Sequence, residues 1–322
     1  MVTTEQQPTL GVIEVTPNGL PIYFQYDPRR YRLGPNTGPD QQGTTWEEVH
    51  EPESWEIVPS VSEVLDVLHK PGLPWWGQGV AIEGVQTLHG LDLVREIVVG
   101  GRPMLAVQPP GGWQAAEPHP ASVDEITALL TQNQLTVNHV RDRAGDRGLA
   151  VHDALEGYAD TGRLPDPTMY AATEAGYIRA LVKFLRDVQP EPIASEVMVA
   201  SREFGYAGRY DFRFRVSKPR DVVARCYPKK SALVKRLQPG EILSDLKSSK
   251  GVYESHPRQL EGYEKASTES GWDETSARGI IHVQEDGQYE FVRSWADFND
   301  FLAVLMVWRS DQAMKKRKKE LA

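Results

Sequence analysis

Cysteine is almost missing from this sequence: Cys226 is the only one in 322 residues. A single thiol excludes an intramolecular disulfide framework, a multi-cysteine zinc site and a four-cysteine iron–sulfur cluster. It also suits a reducing compartment, so a cytoplasmic location is expected. Long apolar runs are missing too. No window holds the roughly 18 uninterrupted apolar residues that a membrane helix needs. The start, MVTTEQQPTLGVIEV, lacks the basic-then-apolar order of a signal peptide. No membrane partner is therefore expected. There is no Gly-x-x-x-x-Gly-Lys-Ser/Thr, so any nucleotide-driven motor would have to come from another chain. Finally, positive charge is in deficit. A net charge of −9 argues against a protein that coats nucleic acid, though not against one that touches it locally.

The basic residues that are present are clustered. Segment 218–236 carries Lys218, Arg220, Arg225, Lys229, Lys230, Lys235 and Arg236 against the single acid Asp221, and residues 315–319 read KKRKK. Each cluster has a plain reading, as a solvated loop and as a frayed tail.

The length suggests two domains, or one core with a large appendage. An accessory region over 1–120 and a core over 121–322 are expected. GVIEVTPNGLPIYFQYD reads as a hairpin about Pro-Asn-Gly, and residues 36–44 read as a loop. PSVSEVLDVLHK starts a helix capped by Ser60 or Ser62, with Val61, Val64, Leu65 and Leu68 as its stripe. KPGLPWWGQG should break it. Residues 79–99 look helical or mixed, and 100–120 look like a Pro/Gly-rich connector. Ser122 and Glu125 form a capping box. Helices are expected over 136–159 and 170–188, the first with Val137, Val140, Leu149, Val151 and Leu155 as core positions. PIASEVMVAS, GYAGRYDFRFRV and GEILSDLK read as strands, the first two as a hairpin. A helix over 256–269, strands RGIIHV and YEFVRS, and a final helix from about 295 complete the pattern. It predicts an α/β (α+β) fold, a central mixed sheet flanked by helices.

Asp245 and Lys247 form the only pair in which an acid precedes a lysine by two positions. On a strand they share one face, with Leu246 on the other. An exposed salt bridge would explain them alone. Asp211 lies within the preceding apolar strand, where a solvent-facing acid paired with Arg209 or Arg213 is the simpler reading. His152 sits on a helix one turn before Glu156. Glu196 sits among apolar residues and needs a partner if buried. Together, carboxylates and an imidazole suit Mg²⁺ or Mn²⁺. A nearby lysine adds a cation for a phosphoryl group.

The order and wording of these motifs resemble RecB-type nucleases of the PD-(D/E)XK superfamily. RGLAVHDALE resembles the family's Arg-Gly-x-x-x-His helix, GYAGRYD its Gly-x-x-Asp strand, SDLKSSK its Asp-x-Lys strand, and RQLEGYEKA its Gln-(x)₃-Tyr helix. The resemblance spans about 139–285. It implies a restriction-endonuclease-like core with His152, Asp211 and Asp245 as metal ligands and Lys247 as catalytic lysine. It further implies Asp245, Asp211 and Glu196 as catalytic acids, with Gln259 and Tyr263 supporting site and substrate. It implies a Mg²⁺- or Mn²⁺-dependent DNA exonuclease of recombination, repair or phage DNA processing. A structure-specific or nicking endonuclease, or an inactive DNA-binding protein, are the alternatives. DNA is the implied partner, together with a recombination or replication protein or further copies of the chain. Relatives that hold an iron–sulfur cluster use four cysteines, which this chain lacks. The insertion over 217–239 departs from the family pattern, and its Lys229, Lys230, Lys235 and Arg236 are candidates for the DNA backbone. Tyr206, Tyr210 and Tyr253 are candidates for stacking on bases, with core packing as the alternative.

Overall fold

The computed structural model of the protein describes residues 11–26, 29–34, 55–68, 72–225 and 232–321. The chain divides into two compact units: residues 1–68 with 148–322, and residues 69–147. This differs from the expected division at 120. The first strands belong with the large sheet, and a middle segment forms the smaller unit. Composition alone does not reveal such an insertion. Among the described residues no helix is long and apolar enough to cross a membrane.

The larger unit is α+β. Its five-stranded mixed sheet comprises β7 (Glu191–Ser201), β8 (Tyr206–Val216), β11 (Gly240–Lys247), β12 (Ala277–Val283) and β13 (Tyr289–Arg293), in the order β13-β12-β11-β8-β7. Strands β7, β8 and β11 run antiparallel in turn, β11 and β12 are parallel, and β13 returns antiparallel. A parallel pair needs a crossover, and helix α6 (Ser255–Glu269) supplies it. One sheet face, with Phe212, Phe214, Ile242, Leu246 and Ile281, packs on α4 (Val137–Thr161) and α5 (Ala172–Val188). Tyr206, Tyr210, Leu243 and Ile280 pack on the other side against α1 (Val61–Leu65), α6 and α7 (Phe298–Glu320). Tyr206 and Tyr210 are fully buried, so they are core residues and not stacking platforms, while Tyr253 is exposed.

The expected N-terminal hairpin is β1 (Gly11–Val15) with β2 (Pro21–Gln25), extended by β3 (Arg30–Leu33) and β4 (Glu56–Val58) into an antiparallel sheet. Ile22, Phe24, Tyr31, Leu33 and Val58 from this sheet, with Leu20 from the β1–β2 turn, pack with Met198, Ala200 and Ala207 of β7 and β8. Ser60 is the cap of α1, accepting from the Glu63 amide. The segment 36–44 lies outside the described residues.

The helix capped by Ser60 ends at Leu65, as the expected break requires, but much of the breaking segment is itself helical: α2 (Gly72–Gly90) runs through the tryptophans. Proline near a helix start is tolerated. Residues 100–120 are not a plain connector: β5 (Val94–Val99) and β6 (Arg102–Val107) form a hairpin turned by Gly100 and Gly101, both at positive φ. Leu149 is not a core position of α4 but is 64% exposed. In the smaller unit, Leu88, Val94 and Ala106 are buried, and the capping box of Ser122 and Glu125 opens α3 (Val123–Gln132) as expected.

The insertion over 217–239 is not a loop. Its described residues form an antiparallel ribbon, β9 (Arg220–Arg225) with β10 (Ala232–Leu237). Val222, Val223 and Leu237 pack into the α5-side core.

Candidate metal centre

His152, Glu196 and Asp211, from three elements, line one pocket, and Asp245 and Lys247 lie close enough to interact electrostatically with them. His152 projects from α4, on the turn that also buries Val151 and Leu155. Glu196 lies on edge strand β7, Asp211 on β8, and Asp245 and Lys247 at the end of β11. His152 Nδ1 is 3.2 Å from Glu196 Oε1 and 3.8 Å from Asp211 Oδ1. One donor atom from each of these three residues falls within 4.8 Å of the others, the spacing of a metal-ligand set. Asp245 is not part of that group; Glu196 takes the third place.

The sheet is irregular at this point. Glu196 has φ 51°, in the left-handed region that non-glycine residues seldom occupy. The ladder pairs Ser195 with Phe212 and Val197 with Tyr210, so Glu196 stands opposite Asp211. The β8–β11 pairing ends at Phe212 and Ser244. Beyond it the Asp211 side chain replaces the ladder: its Oδ2 accepts the Leu246 amide at 2.6 Å. Tyr210 and Phe212 consequently face opposite cores, with Asp211 at the switch. Neither Arg209 nor Arg213 pairs with Asp211. Arg213 is buried and ion-paired to Glu241 at 2.8 Å.

Asp245 and Lys247 share a face, as alternation requires, with Leu246 in the opposite core. Lys247 Nζ is 2.6 Å from Asp245 Oδ2. This is no exposed salt bridge, because the Asp245 side chain is fully buried. Its Oδ1 has no hydrogen-bond partner among the described residues. Burial raises the Asp245 carboxyl above its ordinary range, and the Lys247 charge only partly offsets this. Burial works against the Lys247 ammonium, but the Asp245 and Asp211 charges outweigh it and raise its pKa. Burial would likewise lower His152, yet the Asp211 charge and the Glu196 hydrogen bond push it up to about 9.

Gln259 and Tyr263 lie on α6, one turn apart. Gln259 Nε2 donates to Tyr263 Oη at 2.8 Å. The Tyr263 ring packs on Gly208, where an added Cβ would stand 2.5 Å from Tyr263 Cε1. Thus the glycine of one motif admits the tyrosine of another.

The pocket holds about 410 Å³ and is lined by His152, Glu156, Glu196, Asp211, Arg209 and Tyr263, with Phe24, Arg29, Tyr31, Ser60 and Ser62 from the N-terminal strands and α1. Sequence reasoning missed these N-terminal residues, since nothing local ties them to positions far along the chain. It also missed His256, at the start of α6, which burial and the Lys247 charge hold down to about 4 and so neutral. His282 of β12 was missed as well; its Nε2 is 2.7 Å from the carbonyl of Ser249, in the turn after Lys247.

Lys235 and Arg236 are not brought to this pocket. Both are exposed on the ribbon, and Arg236 is paired with Asp221. The ribbon leaves β8 at Val216, roughly 16 Å along the strand from Asp211 at about 3.3 Å per residue. Lys229 and Lys230 lie outside the described residues. No protein-family model matches the chain, and no curated protein matches it significantly.

Proposed function

We propose that the protein is a metal-dependent nuclease of the PD-(D/E)XK type, hydrolysing DNA phosphodiester bonds as an exonuclease. The observation that carries this reading is the meeting of two sets on adjacent strands. His152, Glu196 and Asp211 form a potential ligand group, and the buried Asp245–Lys247 pair follows on β11. The mixed five-stranded sheet flanked by helices is in keeping with the core that the resemblance implies.

The donors fit Mg²⁺ or Mn²⁺: two carboxylates and an imidazole, with the unpaired Asp245 Oδ1 as a further hard oxygen. A bound ion would polarise the phosphoryl oxygen and acidify water. Lys247, kept cationic by its acidic neighbours, is suited to orient the attacking water or to meet charge developing on the phosphate. Asp245 fixes the lysine's position. Gln259 restrains Tyr263, which in turn packs against the glycine beside the Asp211 strand. The choice of DNA, of roles in recombination, repair or phage DNA processing, and of a cytoplasmic setting with partner proteins follows from the resemblance alone.

End-labelled linear duplex, linear single-stranded DNA and covalently closed circular DNA, each with Mg²⁺ or Mn²⁺, test the proposal beside Lys247→Ala and an EDTA control. Loss of linear DNA only, abolished in the variant, is the expected result. Cutting of the circle would replace the exonuclease by an endonuclease. Absence of metal-dependent cleavage on every substrate would overturn the nuclease reading.

A further inference from the structure

We propose that α7 pairs antiparallel with the α7 of a second copy, so that the protein is a two-fold dimer in solution. The inference does not depend on the chemistry of the metal centre. It starts from a helix with apolar residues on two sides. Phe301, Val304 and Leu305 are buried in the core of the larger unit, and Trp308 packs beside them. A second row lies about 150° round the helix, at 3.6 residues per turn. Ala303, Val307, Ser310, Met314 and Arg317 form it, and all are exposed, Val307 at 53% and Met314 at 51%. Asp300, also exposed, continues the row one step earlier. The spacing alternates between three and four residues, which is the seam of a helix that packs on another helix. Among the described residues of α7 none after Leu305 is buried, although the helix continues to Glu320. Helical segments of about 15 residues are marginal in water without packing. Five consecutive basic side chains, 315–319, add like charge to this one.

The row is complementary to itself. Take an antiparallel pair whose two-fold axis passes at the level of Trp308 and Arg309. Ala303 then meets Met314 of the second copy, and Val307 meets its Ser310. Each large side chain faces a small one, and symmetry makes every match twice. In the same register Asp300 of each chain meets Arg317 of the other. One Asp300 oxygen accepts the Asp297 amide at 2.9 Å, which leaves the other for the guanidinium. The acidic first turn of one helix thus lies against the basic last turn of its neighbour, an arrangement that suits both helix dipoles. A parallel pair would set the two basic runs side by side and is disfavoured by their repulsion. A nucleic acid would use the cations but leave the apolar row uncovered. One helix pair lies at the small end of specific interfaces, below about 1,200 Å² in total, so dissociation in the micromolar range is expected.

Sedimentation equilibrium of the full chain, from about 1 to 100 μM, tests the proposal. The mass should rise towards twice that of the chain and no further, because a two-fold contact closes. Ser310→Arg, at an exposed helical position, should keep the parent's thermal melt and raise the dissociation constant at least about a hundredfold. Arg317→Glu sets acid against acid and should raise it about tenfold. In a Cys226→Ser background, Val307→Cys chains mixed with Ser310→Cys chains should form more disulfide-linked dimer under mild oxidation than either chain alone. If Ser310→Arg melts early, Arg317→Glu and the cross-link decide. A monomer at every concentration, growth beyond a dimer, or a dimer that neither substitution weakens would overturn the proposal. So would cross-linking confined to Ser310→Cys with itself. A chain that stays monomeric, and loses oligonucleotide affinity when residues 315–319 are removed, would assign the basic end to nucleic acid instead.

Discussion

Glu196 offers a test in which backbone strain and side-chain chemistry can be separated. Its φ of 51° places an L-residue in the left-handed region inside a strand. That conformation costs about 1–2 kcal/mol for residues other than glycine. Both Glu196→Ala and Glu196→Gly remove the carboxylate and its contact with His152, so that loss cancels between them. In a regular strand, glycine is less stable than alanine by roughly 0.5–1 kcal/mol. At the observed φ the order reverses, and Glu196→Gly is expected to be the more stable by about 1 kcal/mol. The two backbone conformations thus differ by about 1.5–2 kcal/mol in the quantity measured, which urea denaturation of the metal-free protein resolves. On the proposed metal reading, both variants should lose Mn²⁺ affinity alike, since neither retains the carboxylate. A Glu196→Ala protein more stable than Glu196→Gly would refute the strained conformation, and with it the reason the carboxylate turns towards His152 and Asp211.

Other outcomes follow from the same structure. Gly208→Ala would bring a Cβ to 2.5 Å from Tyr263 Cε1 and 3.1 Å from Val61 Cγ2, and the buried ring must shift. A loss of about 1–3 kcal/mol is expected, seen in a thermal melt as roughly 2–4 °C per kcal/mol. Glu241 is held below its ordinary range, first by its hydrogen bond from Arg213 and then by that from Arg215. A depressed native pKa means stability present above the unfolded value and lost as pH falls through the native one. Glu241→Gln should therefore cost stability at pH 7 and progressively less as pH falls below the ordinary glutamate range, as denaturant midpoints across that range would show. Removing residues 313–322 deletes the exposed basic end of α7. If this end touches a single strand, the slope of log affinity against log salt should shrink by between about 1 and 3.5; an unchanged slope means it makes no contact.

Much of the larger unit was legible because its signals are local. Alternation in GEILSDLK places Asp245 and Lys247 on one face, and both appear there. Capping by Ser60 and Ser122 needed only residues within one turn. The β5–β6 hairpin carries a local signal, since Val-Val-Gly-Gly-Arg-Pro separates two apolar runs, but the prolines that follow it give the segment the composition of a connector. Other features had no local signal. Nothing in ASEVMVAS announces that Glu196 leaves the extended region. Strict alternation along Tyr210, Asp211 and Phe212 suggests one core face, whereas the strand switches faces at the acid. The pocket wall is supplied by Phe24, Arg29 and Tyr31, whose place near His152 depends on packing of the N-terminal sheet over Met198, Ala200 and Ala207.

The irregularities share one location, and their coincidence bears on function. In a regular antiparallel pair, like charges directly opposite one another are destabilising. Glu196 and Asp211 occupy such positions, and the β8–β11 ladder ends at the same level, where Asp211 substitutes for a backbone acceptor. A sheet optimised only for stability would place apolar or opposite-charge residues there. In the metal-free protein the His152 imidazole faces both acids, at 3.2 and 3.8 Å, and the proton they favour on it offsets their repulsion. A divalent cation would neutralise the same two carboxylates and use the imidazole as a neutral ligand. A cation at this point would explain the acids, the histidine and the strained backbone together; Asp245 and Lys247, one strand away, are already paired with each other.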